Sequence, residues 1–198
     1  MTHHPTTRIA VLVALGVSGM LALWWALGYY WSGVRSDDTD NKTTITMQLT
    51  SPAFLQGGRI PAKYTCDGEQ ISPQLIFDEV PEAAKSLVVI MEDPDVPVSI
   101  REDGMWNHWL VWNIDPSVRV LSEGVEPEGI HGRTTSSTLD YYAPCPPDRE
   151  HRYFFYLYAL DSKLALPEGS TKEELLVAMK NHVIGKAELL GTYQRAVK

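Results

Sequence analysis

The chain has 198 residues, 17 Lys and Arg against 25 Asp and Glu, a formal charge of −8, and 44% hydrophobic residues. This composition fits one folded domain of ordinary size and excludes a disordered or collagen-like chain. An acidic balance with no basic block excludes general nucleic-acid binding, and two cysteines outside any CxxC pair exclude a disulfide-built miniprotein.

Residues 1–8 form a short lead that carries Arg8. From Ile9 to Trp31 the chain offers 23 largely apolar positions with no charge, enough for the roughly 20-residue helix that crosses a bilayer. Trp24, Trp25, Tyr29, Tyr30 and Trp31 sit at its far end, where aromatic rings favour the headgroup boundary. The expectation is a single-pass membrane signal-anchor over 9–31 with a cytoplasmic N-terminus. It places the rest of the chain outside the cytoplasm, in the periplasm or extracellular space. The alternative is a cleaved secretory signal, although such signals are shorter and end in small residues. Residues 32–44 are polar and without periodicity, which predicts a tether to a folded domain over 45–198. Only Arg8 is charged within residues 1–31, so the exported part carries −9.

From Ile45 the texture changes to short β-type runs. Ile45–Leu49 alternates apolar with polar residues. Leu87–Met91, Trp109–Ile114 and Tyr153–Leu160 are apolar, β-branched and aromatic runs, as expected of strands covered on both faces. One helix is predicted late: Ser170–Glu173 reads as a capping box, Leu175, Met179 and Val183 recur at helical spacing, and Gly185 supplies a stop. The pattern predicts a mainly β domain with peripheral helices.

Charged and imidazole groups interrupt these runs at three places. Asp93-Pro94-Asp95-Val96-Pro97 follows a buried strand, and its prolines stiffen the turn. Such a turn either binds its own amides or holds a carboxylate at a pocket mouth. His108 opens a strand beside Trp106, Trp109 and Trp112, and alternation puts Trp106, His108 and Leu110 on one face with Trp109 on the other. Pro144-Cys145-Pro146-Pro147 fixes an extended loop ahead of His151-Arg152-Tyr153, where Arg152 points away from its neighbours, toward an ion pair. His131 reads as an ordinary surface residue. A carboxylate, two imidazoles, a phenol and an indole at strand ends suit a small anionic or phosphate-bearing group. The imidazoles would donate to the anion while Asp93 orients one of them and favours its charged form.

These ordered motifs resemble the phosphatidylethanolamine-binding protein family, and more closely its Raf-kinase-inhibitor-like branch of bacteria and archaea. Tyr64-Thr65-Cys66-Asp67-Gly68, Ser72-Pro73 and Gly191-Thr192-Tyr193 extend the likeness over about residues 47–195. The resemblance implies a β-sandwich of two antiparallel sheets and a surface pocket lined by Asp93, His108, His151 and Tyr153. Pro97, Trp106 and Pro146 would form its walls. It implies a non-enzymatic binder of a small anion or phospholipid headgroup, with no catalytic residue, metal or cofactor. The alternative is a regulator of a protease or kinase acting through its surface. The loop departs from the branch, with Tyr141-Tyr142-Ala143-Pro144 where two glycines are usual, which predicts a narrower or displaced pocket wall. Two other readings compete: a hydrolase with Cys145 as nucleophile, and a metal site of His108, His151 and Asp93. Cys66 and Cys145 are either two separate thiols or a disulfide permitted by an oxidising compartment.

Overall fold

The computed structural model describes residues 44–196. The anchor expected over 9–31 and all but the last residue of the tether lie outside the described residues. No helix among the described residues is long and apolar enough to cross a membrane.

Ten strands build two sheets: β1 (Ile45–Thr46), β2 (Gln48–Thr50), β3 (Gly58–Arg59), β4 (Leu75–Asp78), β5 (Ser86–Asp93), β6 (Trp106–Ile114), β7 (Val120–Leu121), β8 (Ile130–His131), β9 (His151–Leu160) and β10 (Val183–Tyr193). The larger sheet runs β1-β10-β9-β5-β6-β8, with β3 also on β10; the smaller is β2-β4-β7. The mainly β, two-sheet expectation holds, with one correction. Not every pairing is antiparallel, because β1 and β3 both lie parallel to β10. The alternating run at Ile45–Leu49 is also two strands rather than one. The chain passes from the large sheet to the small one between β1 and β2, at the buried Met47.

Side-chain alternation divides the core. Leu87, Val89 and Met91 of β5 join Trp109, Phe155, Leu157 and Leu189 against Leu49, Leu75, Phe77 and Leu121 of the small sheet. Val88 and Ile90 face the other way, with Leu110, Trp112, Leu160 and Leu164. One α-helix among the described residues, α1 (Lys172–Met179), covers that second cluster with Leu175 and Met179. Every residue of β5 is therefore buried, as its continuous apolar run predicts.

The helix is shorter than its spacing suggests. Thr171, not Ser170, is the cap: its side chain accepts from the Glu174 amide at 3.3 Å, and Glu174 returns a bond to the Thr171 amide at 2.8 Å. The reciprocal pair is one residue later than the sequence pattern places it. Val183 continues the apolar period but opens β10, because pairing with Leu160 of β9 captures it.

Candidate ligand-binding site

The site lies at the end of the large sheet where β5, β6 and β9 expose their polar termini. Its geometry begins with a bulge. Met91 pairs with Trp109 and Glu92 pairs with Asn107, so His108 is an extra residue on β6. A bulge of this kind shifts the alternation of everything beyond it. Trp106 consequently pairs with Asp93, on the face of Met91 and Trp109, not on the face of Leu110 as simple alternation requires. The His108 ring packs edge-on to Tyr153 of β9 with centroids 5.4 Å apart.

The pocket of about 240 Å3 is lined by Asp93, Val96, Ile100, Trp106, His108, Tyr142, Cys145 and Pro147. Three of the seven residues expected there, Asp93, Trp106 and His108, line it directly. His151 and Tyr153 stand behind it, both fully buried. Pro97 instead closes the following turn, its carbonyl accepting from the amides of Ile100 and Arg101 at 2.8 and 3.1 Å. Pro146 lines a neighbouring cavity with Asp148, Arg149 and Arg195, and Pro147 is the wall common to both.

Asp93 belongs to a relay of hydrogen bonds. Its Oδ1 accepts from the Asp95 amide at 2.8 Å, and its Oδ2 lies 2.7 Å from His151 Nδ1. Both readings of the Asp-Pro-Asp turn are thus realised in one carboxylate. Burial raises the Asp93 pKa, while the bond from His151 opposes the rise. Asp95 points the other way and takes Arg152 in a bidentate pair at 2.8 and 2.9 Å, the ion pair expected of Arg152. The guanidinium holds the Asp95 carboxyl below its ordinary range.

His108 behaves differently from a cationic anion grip. Its Nδ1 lies 2.6 Å from the carbonyl oxygen of Tyr142, which can only accept, so Nδ1 carries the proton. Burial lowers its pKa to about 4 despite that bond. At neutral pH the ring is uncharged, and Nε2 presents a lone pair. The expectation that this imidazole donates to an anion is therefore corrected: its one ring hydrogen goes to the Tyr142 carbonyl, and burial keeps a second off the ring.

Two donors complete the set. The indole Nε1 of Trp106 and the hydroxyl of Tyr153 are buried and make no hydrogen bond within the protein. Burial, with the nearby Asp93 charge, pushes the Tyr153 phenol well above its ordinary pKa, so the hydroxyl keeps its proton. Buried polar atoms without partners are uncommon and cost about 1–3 kcal/mol each, which makes two of them beside one pocket informative.

The altered loop forms the remaining wall. Tyr142 lies against Trp106 and His108, with ring centroids 6.3 and 5.9 Å away. Its amide donates to the His108 carbonyl at 2.9 Å. Neither Tyr142 nor Ala143 has a positive φ, so the loop does not need the glycines it lacks. The Tyr142 ring forms part of the pocket wall. Tyr141 secures the loop from beneath: its amide donates to Glu126 at 2.9 Å and its hydroxyl to the Tyr64 carbonyl at 3.0 Å. Cys145 is bonded to Cys66 across 79 residues of sequence, which tethers the same loop to the turn after Tyr64.

The competing chemistries lose their key groups. Cys145 lies in the disulfide and has no thiol to act as a nucleophile. His151 has both ring nitrogens on carboxylate oxygens, at 2.7 and 2.8 Å, so no lone pair is free for a metal while those bonds hold. Sequence reasoning missed Val96, Ile100, Pro147 and Asp148, while Tyr142 was expected only as part of an altered wall. The spacing of Asp148 three residues before His151 was the only signal for that residue.

Comparison with known proteins decides the family. The sequence model described as phosphatidylethanolamine-binding protein matches residues 50–194. The chain belongs to the phosphatidylethanolamine-binding protein family. Its relatives in that family are bacterial and archaeal. A Chlamydia trachomatis protein named only as a UPF0098 protein is 56% identical over 149 residues, covering 75% of this chain and 99% of its own length. A Methanothermobacter thermautotrophicus protein of the same name is 49% identical over 155 residues, covering 75% and 99%. A crystal structure of a phosphatidylethanolamine-binding protein homologue from Chlamydia trachomatis superimposes with a TM-score of 0.75 at 54% identity, covering 77% of this chain and all of that one. Escherichia coli YbcL, described as a member of the mammalian family, gives 0.68 at 28% identity, covering 76% and 99%.

Proposed function

We propose that this member of the phosphatidylethanolamine-binding protein family is a non-enzymatic, membrane-anchored extracytoplasmic receptor for a small phosphate-bearing ligand. The observation that carries the reading is the pairing of opposite hydrogen-bonding groups at one pocket. Trp106 Nε1 is a donor without a partner in the lining and the Tyr153 hydroxyl another directly behind it, while Asp93 and His108 Nε2 are acceptors in the lining. An oxyanion satisfies the donors; a hydrogen on the ligand satisfies the acceptors. The complementary chemistry is a phosphate group that also brings a donor, either its own acidic O–H or an adjacent ammonium. Free phosphate in its monoanionic form and a phosphoethanolamine headgroup both meet that requirement.

A volume of about 240 Å3 suits a headgroup rather than a whole lipid, since drug-sized ligands occupy roughly 300–1,000 Å3. Ile100 lines the pocket and stands 56% exposed, with Val98 beside it at 76%, so an apolar lip borders the polar floor. Such a lip favours a ligand whose polar group continues into an apolar chain. The apolar run at 9–31 and a bonded Cys66–Cys145 pair both fit a domain held at a membrane in an oxidising compartment.

Isothermal titration calorimetry of the full chain with inorganic phosphate and with phosphoethanolamine tests the reading and separates the two sources. Binding of either ligand that disappears in His108→Ala and Asp93→Ala supports the site. Saturable binding that survives both substitutions places the ligand elsewhere, and no binding of either compound overturns the proposal.

A further inference from the structure

His151 is fully buried, yet both of its ring nitrogens are spoken for by acids. Nδ1 lies 2.7 Å from Asp93 Oδ2, and Nε2 lies 2.8 Å from Asp148 Oδ1. A carboxylate oxygen accepts, so the two bonds need two hydrogens. Either the ring is an imidazolium between two carboxylates, or it is neutral and one carboxyl holds a proton. In both forms three groups share two protons.

The two ends of this unit face different surroundings. Asp93 is buried and lines the pocket, whereas the Asp148 side chain is 44% exposed and borders the neighbouring cavity. The charged and titratable groups around them are Asp93 on β5, Asp95 in the turn after it and His108 on β6. Asp148 and Arg149 come from the proline-rich loop, and Arg152 and Tyr153 from β9. These arginines do not bond Asp93: Arg152 pairs with the Asp95 carboxylate, Arg149 with Asp148 itself and the Asp95 carbonyl, and Arg195, which lines the same cavity as Asp148, with Asp67. Among the described residues, His151 is therefore the one group able to carry a positive charge that is hydrogen-bonded to Asp93.

We propose that Asp148 is a positioning residue that sets, through His151, the proton occupancy of Asp93 and hence the affinity of the pocket for an oxyanion. Asp148 does not line the pocket. Its negative charge holds one proton on Nε2 and stabilises the doubly protonated ring, so that a second proton stays in the bond between Nδ1 and Asp93. An oxyanion approaching Asp93 then meets a neutral Asp93–His151 pair instead of a bare carboxylate. Removing the Asp148 charge makes the pair release its shared proton at lower pH. The lost proton outweighs the lost surface charge, because it lies closer to the ligand and away from solvent. The coupling to affinity rests on the phosphate reading of the pocket; the coupling between Asp148 and the His151–Asp93 pair does not.

The test separates these two statements. Histidine 15N chemical shifts of the full chain, followed by NMR against pH without ligand, report the protonation of the His151 ring directly. In Asp148→Asn, which preserves shape, the pH at which the ring loses its second proton falls by about one unit or more, and Asp148→Glu restores most of it. Calorimetry with inorganic phosphate follows the same ordering, with the pH midpoint of affinity lowered in Asp148→Asn and recovered in Asp148→Glu. An unmoved ring titration in Asp148→Asn overturns the proposal, as does an affinity loss equal at all pH values. A moved ring titration in a protein that binds no phosphate upholds the proton coupling and overturns the pocket reading instead.

Discussion

His108 and Tyr142 are joined twice, by the Tyr142 amide to the His108 carbonyl at 2.9 Å and by His108 Nδ1 to the Tyr142 carbonyl at 2.6 Å. The second bond fixes the tautomer, and burial fixes the charge. Both bonds use main-chain atoms of Tyr142, so the backbone path of this loop decides what the pocket floor offers a ligand.

A pH dependence of stability follows from this pair. In the unfolded chain His108 takes up a proton near its ordinary value of 6.5, but in the folded chain not until about 4. Between those values the unfolded state binds more protons, so stability falls as the pH drops from 6.5 toward 4. One such group contributes a slope of up to about 1.4 kcal/mol per pH unit. Asp93 works in the opposite sense: its raised pKa gives stability that is lost as pH rises through its folded value. The contrast between variants isolates His108. Urea denaturation at pH 7, 6 and 5 should show a flatter dependence in His108→Gln than in the parent. Equal slopes would contradict the neutral assignment.

Tyr153 poses a trade between stability and binding. Its buried hydroxyl has no partner within the protein, so Tyr153→Phe removes a desolvation cost of about 1–3 kcal/mol without opening a cavity. Chemical denaturation should show the variant equal to or more stable than the parent, while its phosphate affinity falls by about tenfold. A clear loss of stability would mean the hydroxyl is serving the fold instead.

The Cys66–Cys145 bond closes a long loop and holds the pocket wall. The Pro144 carbonyl also accepts from the Cys66 amide at 3.0 Å, so bond and backbone act on one point. Closing a loop of this length is worth roughly 3–5 kcal/mol by the chain-entropy argument. Paired Cys66→Ser and Cys145→Ser replacement should lower the unfolding free energy by an amount of that order. It should also speed amide exchange in residues 141–147 more than in β5 or β9. Unchanged denaturation midpoints and unchanged exchange would show that the cross-link is dispensable.

Much of this fold could be read directly. The buried run Leu87–Met91 became a central strand because five apolar residues in a row fit only an element covered on both faces. Arg152 found its acid because strand alternation turned it away from His151 and Tyr153. The errors share a cause. Simple alternation put His108 with Leu110, but one extra residue at the Met91/Glu92 step reverses the face of everything beyond it. No local sequence signal marks that bulge; the partner strand creates it. Val183 similarly fits the helical period, yet β9 offers it a better place. The donor role expected of His108 failed for a related reason. Residue type gives an ordinary pKa, whereas burial is a property of the assembled sheet. Asp93, Trp106 and His108 were legible as pocket residues because polar groups at the ends of apolar strands have few other uses. Asp148 was not, since its role exists only through a ring that the folded chain encloses.

The Asp95–Arg152 pair should matter less than its geometry suggests. Arg152 is 53% exposed at the side chain, so solvent screens the bidentate contact. Arg152→Gln should cost about 1 kcal/mol or less in urea denaturation and leave phosphate affinity within about twofold. A large affinity loss would reassign Asp95 from turn anchor to part of the binding site.

The central claim is that the pocket receives a phosphate group together with a hydrogen for its acceptors. Calorimetric titration of the full chain with inorganic phosphate, repeated at one pH in two buffers of different ionisation enthalpy, counts the protons that accompany binding. Proton uptake at pH 7, with affinity rising from pH 8 to pH 6 and abolished in His108→Ala, is the predicted result. Binding that takes up no proton and keeps the same affinity across that range would contradict it.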